Sequence, residues 1–127
     1  MQEKQLFEYA VIRVVPRVER EEFINVGIIL YCKQAGFLGC VYKLEESRLY
    51  TICSLLDREE VTEYLRAFEK ISRAAAGSGA IGQLDIASRF RWLTATRSTV
   101  VQTSKVHPGF CTDAKKTLQQ LFEKLVL

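Results

Sequence analysis

The sequence predicts an α+β fold, a mainly antiparallel sheet of about four strands with about three helices packed on it. Two features carry that expectation. Segments rich in β-branched and aromatic residues crowd the first third of the chain, and helical periodicity dominates the rest except for one late strand-like segment. A doubly wound parallel sheet would need strand and helix to alternate, and they do not. With 127 residues the chain is long enough for one core, so a single domain over 1–127 is expected.

Residues 7–15 and 23–32 are nearly continuous apolar runs, which predicts strands buried on both faces and covered by helices. Residues 37–44 follow a loop of hairpin length ending in Gly36, and placing Cys32 opposite Phe37 puts Cys40 opposite Ile29. Asp57 is placed to cap a helix, with Glu60 at capping-box spacing and Val61, Tyr64, Leu65, Phe68 and Ile71 forming its apolar stripe to an end near Gly77. Residues 74–82 read as a flexible connection. They are no phosphate loop, because a helix precedes them and no lysine follows. Asp85 is expected to cap a short helix that turns Ile86, Phe90 and Leu93 inward, with Trp92 close by and read as core. Residues 98–106 read as a strand. A last amphipathic helix follows Asp113, with Leu118, Leu121, Phe122 and Leu125 on one face.

Composition removes several function classes. The chain is 48% hydrophobic and 26% charged, ordinary for a folded domain, and no apolar run is long enough to span a membrane. Its first five residues lack the basic and apolar blocks of a secretory signal, so the cytoplasm is the expected location. Cys32, Cys40, Cys53 and Cys111 have no Cys-x-x-Cys spacing and only one histidine to join them, so no metal site or redox pair is encoded and no cofactor is expected. A net charge of +3 does not by itself imply nucleic acid.

Two polar clusters stand out. Closing residues 7–15 and 23–32 as a hairpin with Val15 opposite Phe23 sets Arg13 opposite Asn25, Val11 opposite Gly27 and Tyr9 opposite Ile29. Arg13 then needs a partner, which Glu19, Glu21 or Glu22 can supply, since an unpaired buried charge is costly. Either these residues form a closed network that fixes the hairpin loop, or Arg13, Arg17 and Asn25 line a cleft for an anionic or amide-bearing ligand. The second cluster follows from charge asymmetry. No acidic residue occurs between Asp85 and Asp113, while Arg89, Arg91, Arg97, Lys105 and His107 all do. As one strand, this segment would point Arg97, Thr99, Thr103, Lys105 and His107 to one side, interleaving hydroxyls and cations as phosphate oxygens require. A solubilised edge strand is the competing reading.

The segments "YAVIRVVPRVEREEFINVGIILYC" (9–32) and "FRWLTATRSTVVQTSKVHPGFC" (90–111) resemble a bacterial family catalogued as domain of unknown function number 3037. The family pattern has proline where Thr96, Lys105 and Ala114 stand here, so the resemblance carries no loop shape at those points. It implies no established activity. It does imply small stand-alone bacterial proteins, some encoded beside kinases similar to the HipA toxin kinase, which points toward a protein partner.

The leading expectation is therefore a binding module whose polar groove comprises Arg13, Arg17, Asn25, Arg97, Lys105 and His107, serving a partner protein or an anionic, phosphate-bearing ligand. One alternative is a phosphoryl-transfer or hydrolytic enzyme with Glu21 or Glu22 and His107 as acid and base and the arginines stabilising negative charge. The other is nucleic-acid binding through the basic strand.

Overall fold

The computed structural model describes residues 3–16, 22–45, 47–49, 57–97 and 99–127. Among them lie strands β1 (Gln5–Val14), β2 (Ile24–Cys32) and β3 (Phe37–Tyr42) and helices α1 (Arg58–Arg73), α2 (Gly79–Gly82) and α3 (Ile86–Leu93). Strands β4 (Val101–Thr103) and β5 (His107–Cys111) and helix α4 (Ala114–Leu125) follow. The fold is α+β as expected. Its five described strands pair antiparallel in the order β3-β2-β1-β4, with β5 joining the same edge of β1 as β4.

Strand β1 is central because it is apolar on both faces. Ala10, Ile12 and Val14 face one core with Ile29 and Tyr31 of β2, covered by Val61, Leu65 and Phe68 of α1 and Phe90 and Leu93 of α3. Phe7 and Val11 face a second core with Ile28, Leu30 and Cys32, covered by Leu118 and Phe122 of α4. The sheet is thus a middle layer between two helical layers. No helix among the described residues is long and apolar enough to cross a membrane.

Asp57, Asp85 and Asp113 cap α1, α3 and α4, their side chains accepting from backbone amides two or three residues on. The predicted end of α1 near Gly77 is corrected: the helix stops at Arg73, and Ala74 turns left-handed at φ 53°. There the Ala75 amide donates to the Lys70 carbonyl and the Ala74 amide to the Ile71 carbonyl, a glycine-type terminator built on alanine. The β2–β3 register holds as expected, Cys32 opposite Phe37 and Cys40 opposite Ile29. Cys32, Cys40 and Cys111 are free thiols, and Cys53 lies outside the described residues. On the β3 side, the Tyr42 hydroxyl donates to Glu69 Oε2 at 2.9 Å, and Cys40 Sγ lies 3.4 Å from Ser72 Oγ.

The β1–β2 register is right at its mouth and wrong below it. Arg13 does face Asn25, but Val11 pairs with Ile28 and Tyr9 with Leu30, because a bulge inserts Val26 between Asn25 and Gly27. Gly27 is required beside it, since a Cβ there would stand 2.5 Å from the Val41 carbonyl oxygen.

Candidate functional site

The first polar cluster sits where β1 and β2 meet the end of α4. Arg13 Nε donates to Asn25 Oδ1 at 3.4 Å, and its guanidinium carbon lies 4.0 Å from the centre of the Phe23 ring. Asn25 Nδ2 in turn donates to the Leu125 carbonyl at 3.3 Å, and Arg48 Nη1 donates to the Val126 carbonyl at 3.1 Å. These donors satisfy carbonyls that a helix end leaves without intrahelical partners, and the cation near the last turn is favoured by about 0.3–1 kcal/mol. Burial lowers the Arg13 pKa from its ordinary value. Arg17, Glu19 and Glu21 lie outside the described residues.

The second cluster is not one strand. Tyr9 pairs with His107 and Ile12 with Thr103, so Ala10 and Val11 on β1 face Ser104, Lys105 and Val106 on the other side. The extra residue breaks the predicted 98–106 strand and reverses which way side chains point beyond it. The Ser104 amide donates to the Val11 carbonyl at 2.8 Å, and the Val11 amide donates to Ser104 Oγ at 2.9 Å. Ser104 Oγ donates onward to the Lys105 carbonyl at 2.9 Å.

Because of that break the expected single basic side does not form. Thr103 faces the α1/α3 core, whereas His107 lies on the α4 side with its ring 5.4 Å from that of Tyr9. Lys105 is exposed at the bulge. Arg91 pairs with Glu8 at 3.7 Å, and Arg89 is buried with its Nε unpartnered. The cations of residues 89–107 are thus scattered over both faces, which corrects the basic-strand picture behind nucleic-acid binding. The proposed acid–base pair is separated too. Ile24, two residues after Glu22, pairs with Val14, while His107 pairs with Tyr9, a gap of about 17 Å along β1 at ~3.4 Å per residue. Among the described residues no group of three or more His, Cys, Asp and Glu side chains is placed to hold a metal ion.

Arg97 occupies different surroundings from Arg13, on the opposite face of the sheet. Between α1, α3 and β4 lies a cavity of about 300 Å³. Its walls are Tyr64, Ala67, Phe68 and Ile71 from α1, Trp92 and Leu93 from α3, and Val101 and Thr103 from β4. The Arg97 guanidinium carbon stands 3.7 Å from the centre of the Trp92 ring, and Arg97 Nη2 donates to the Trp92 carbonyl. A cation over an indole face is worth about 0.5–1 kcal/mol at such an exposed position. Burial lowers the Arg97 pKa from its ordinary value, and no described carboxylate forms an ion pair with it. The hydroxyls are already engaged: Thr99 Oγ1 donates to the Val101 carbonyl at 2.6 Å and Thr103 Oγ1 to the Thr94 carbonyl at 3.4 Å. What stays open is an apolar slot with guanidinium N–H groups at its rim.

The family model described as "Protein of unknown function (DUF3037)" matches residues 9–126. The chain belongs to that family. No curated protein and no solved structure matches it.

In this DUF3037 protein the five described residues of the expected groove therefore do not line one groove. Arg13 and Asn25 meet each other at the α4 end, Arg97 lies across the sheet, Lys105 lies at the bulge and His107 beyond it. Trp92, expected in the core, is 38% exposed at the cavity rim, and Tyr64 is 39% exposed beside it. Sequence reasoning had both aromatics but placed Tyr64 in the apolar stripe of α1 and read Trp92 as core. A half-wet Tyr or Trp at the edge of a helical stripe was the available signal.

Proposed function

We propose that this protein is a binding module whose cavity takes a small ligand with a flat apolar body and one anionic group. One observation carries the reading: an apolar slot with an arginine held over its tryptophan and unneutralised by any described carboxylate. The slot's volume stands at the lower end of small-molecule sites, which typically measure about 300–1,000 Å³. The apolar walls favour an aromatic or aliphatic body, and Arg97 selects carboxylate, sulfonate or phosphate at its edge. This retains the anionic ligand of the sequence reading with Arg97 as its anchor. A protein partner, a HipA-like kinase included, would use other surfaces and is independent of the cavity.

Trp92 is the only tryptophan in the chain, so its emission reports on this site alone. The probe is 1-anilinonaphthalene-8-sulfonate, an apolar aromatic carrying one anion, compared with N-phenyl-1-naphthylamine, which lacks the sulfonate. Saturable quenching of Trp92 by the sulfonate is expected, weakened about tenfold for the neutral analogue and in Arg97→Met, since hydrogen bonds to charged groups contribute about 1.5–3 kcal/mol. Equal affinity for both probes, or indifference to Arg97→Met, would refute it.

A further inference from the structure

A second concave surface lies at the other end of the same sheet face, between α3 and the β1–β5 pair, and encloses about 590 Å³. Leu6 pairs with Phe110 across the two strands, and both side chains stand out of the protein, 50% and 70% exposed. Phe110 is the most exposed large hydrophobic residue among those described. Strand β5 pairs only with β1, so no further described strand shields it. A paired leucine and phenylalanine left in water lose the stabilisation that burial would give, and large exposed apolar side chains in one patch mark interaction sites.

The rim states what kind of partner suits it. Lys4, Lys33 and Arg91 line the concavity against one carboxylate, Glu8, which is already engaged with Arg91. Lys4 and Lys33 form no ion pair with a described residue. A second copy of this chain meeting the same face by two-fold symmetry would bring two cationic rims together, in a chain of net charge +3. We infer that this face docks an acidic segment of another protein, one that inserts an apolar side chain between Leu6 and Phe110 while its carboxylates meet Lys4, Lys33 and Arg91. The apolar pair supplies the anchor and the rim supplies orientation and on-rate.

The inference stands apart from the cavity reading, because Phe110 and Lys33 do not line that cavity. The test immobilises the full chain and selects from a phage-displayed library of random short peptides. Selected peptides are expected to carry an aromatic or aliphatic residue flanked by Asp or Glu. A synthetic copy of the recovered consensus should bind about tenfold more weakly to Lys33→Glu, and its affinity for the unaltered protein should fall as salt is raised. Phe110→Ser should abolish binding without lowering the unfolding midpoint, since the ring is solvent-exposed. Failure to recover peptides above the bare support, a consensus without acidic residues, or binding that survives Phe110→Ser overturns the inference. So does a dimer in sedimentation that Phe110→Ser dissolves, which would assign the face to a second copy.

Discussion

Replacing Ser104 by alanine tests the device that sets both proposed surfaces. The Ser104 hydroxyl stands where a strand would place a carbonyl, accepting from the Val11 amide at 2.9 Å. Both residues are buried, Ser104 at 7% and Val11 at 6% exposure, in a sheet covered by helices on either face. In Ser104→Ala the Val11 N–H keeps its burial and loses its acceptor, which costs about 1–3 kcal/mol. The part-buried Lys105 carbonyl also loses a donor. A loss of about 2 kcal/mol is therefore expected, equivalent to about 6–10 °C in the thermal midpoint at this chain length. The assay is urea unfolding followed in parallel by far-ultraviolet circular dichroism and Trp92 emission, with m unchanged, together with hydrogen exchange at the Val11 amide. Ser104→Thr, which keeps the hydroxyl, should retain most of the stability. A loss below about 0.5 kcal/mol with Val11 still protected would show that a backbone carbonyl takes over and that the bulge does not depend on this side chain.

Ala74→Gly should stabilise the protein by about 0.5–1 kcal/mol in urea unfolding, because a left-handed alanine costs about 1–2 kcal/mol and glycine's extra freedom when unfolded returns only part of that. Arg89→Met should be neutral or stabilising by about 1–2 kcal/mol, since a buried guanidinium with an unpartnered Nε gives up little when an apolar chain of similar length replaces it; a destabilisation above ~2 kcal/mol would show that the cation is paired. Stability should fall in alkali. Burial, the largest cause for each, raises Cys40 from 9.0 to about 11 and Tyr42 from 10.0 to about 12, so the unfolded chain releases these protons first. Their contribution is whole below about pH 9 and is lost as pH rises toward about 12, and Tyr42→Phe should flatten the decline of the urea midpoint above pH 10.

Much of the fold was legible because it rests on local chemistry. The aspartate before each main helix, the stripe from Val61 to Ile71 and the apolar runs of β1 and β2 each specify an element without reference to the rest of the chain. The Arg13–Asn25 pairing was legible for a related reason, since closing a short hairpin fixes the residues nearest the turn. What was not legible depends on inserted residues and on tertiary gaps. Val26 adds one residue to β2, and the 104–106 segment adds one opposite β1. Each reverses the inside–outside parity of everything beyond it, and no composition rule marks either place. The cavity is a space that α1, α3 and β4 leave between them, so Tyr64, Trp92 and Arg97 acquire a common role only after three distant segments meet.

Strand β1 precedes every other described element in the chain, yet one of its two flanks is completed only by β4 and β5, which follow α3. Until β4 and β5 are made, this largely apolar strand therefore carries an open row of amides and carbonyls, the kind of template that recruits other nascent chains. Leu125 and Val126 are the acceptors for Asn25 and Arg48, so these contacts also wait for α4 and the residue after it. Truncation products that stop before residue 101 are accordingly where aggregation should concentrate.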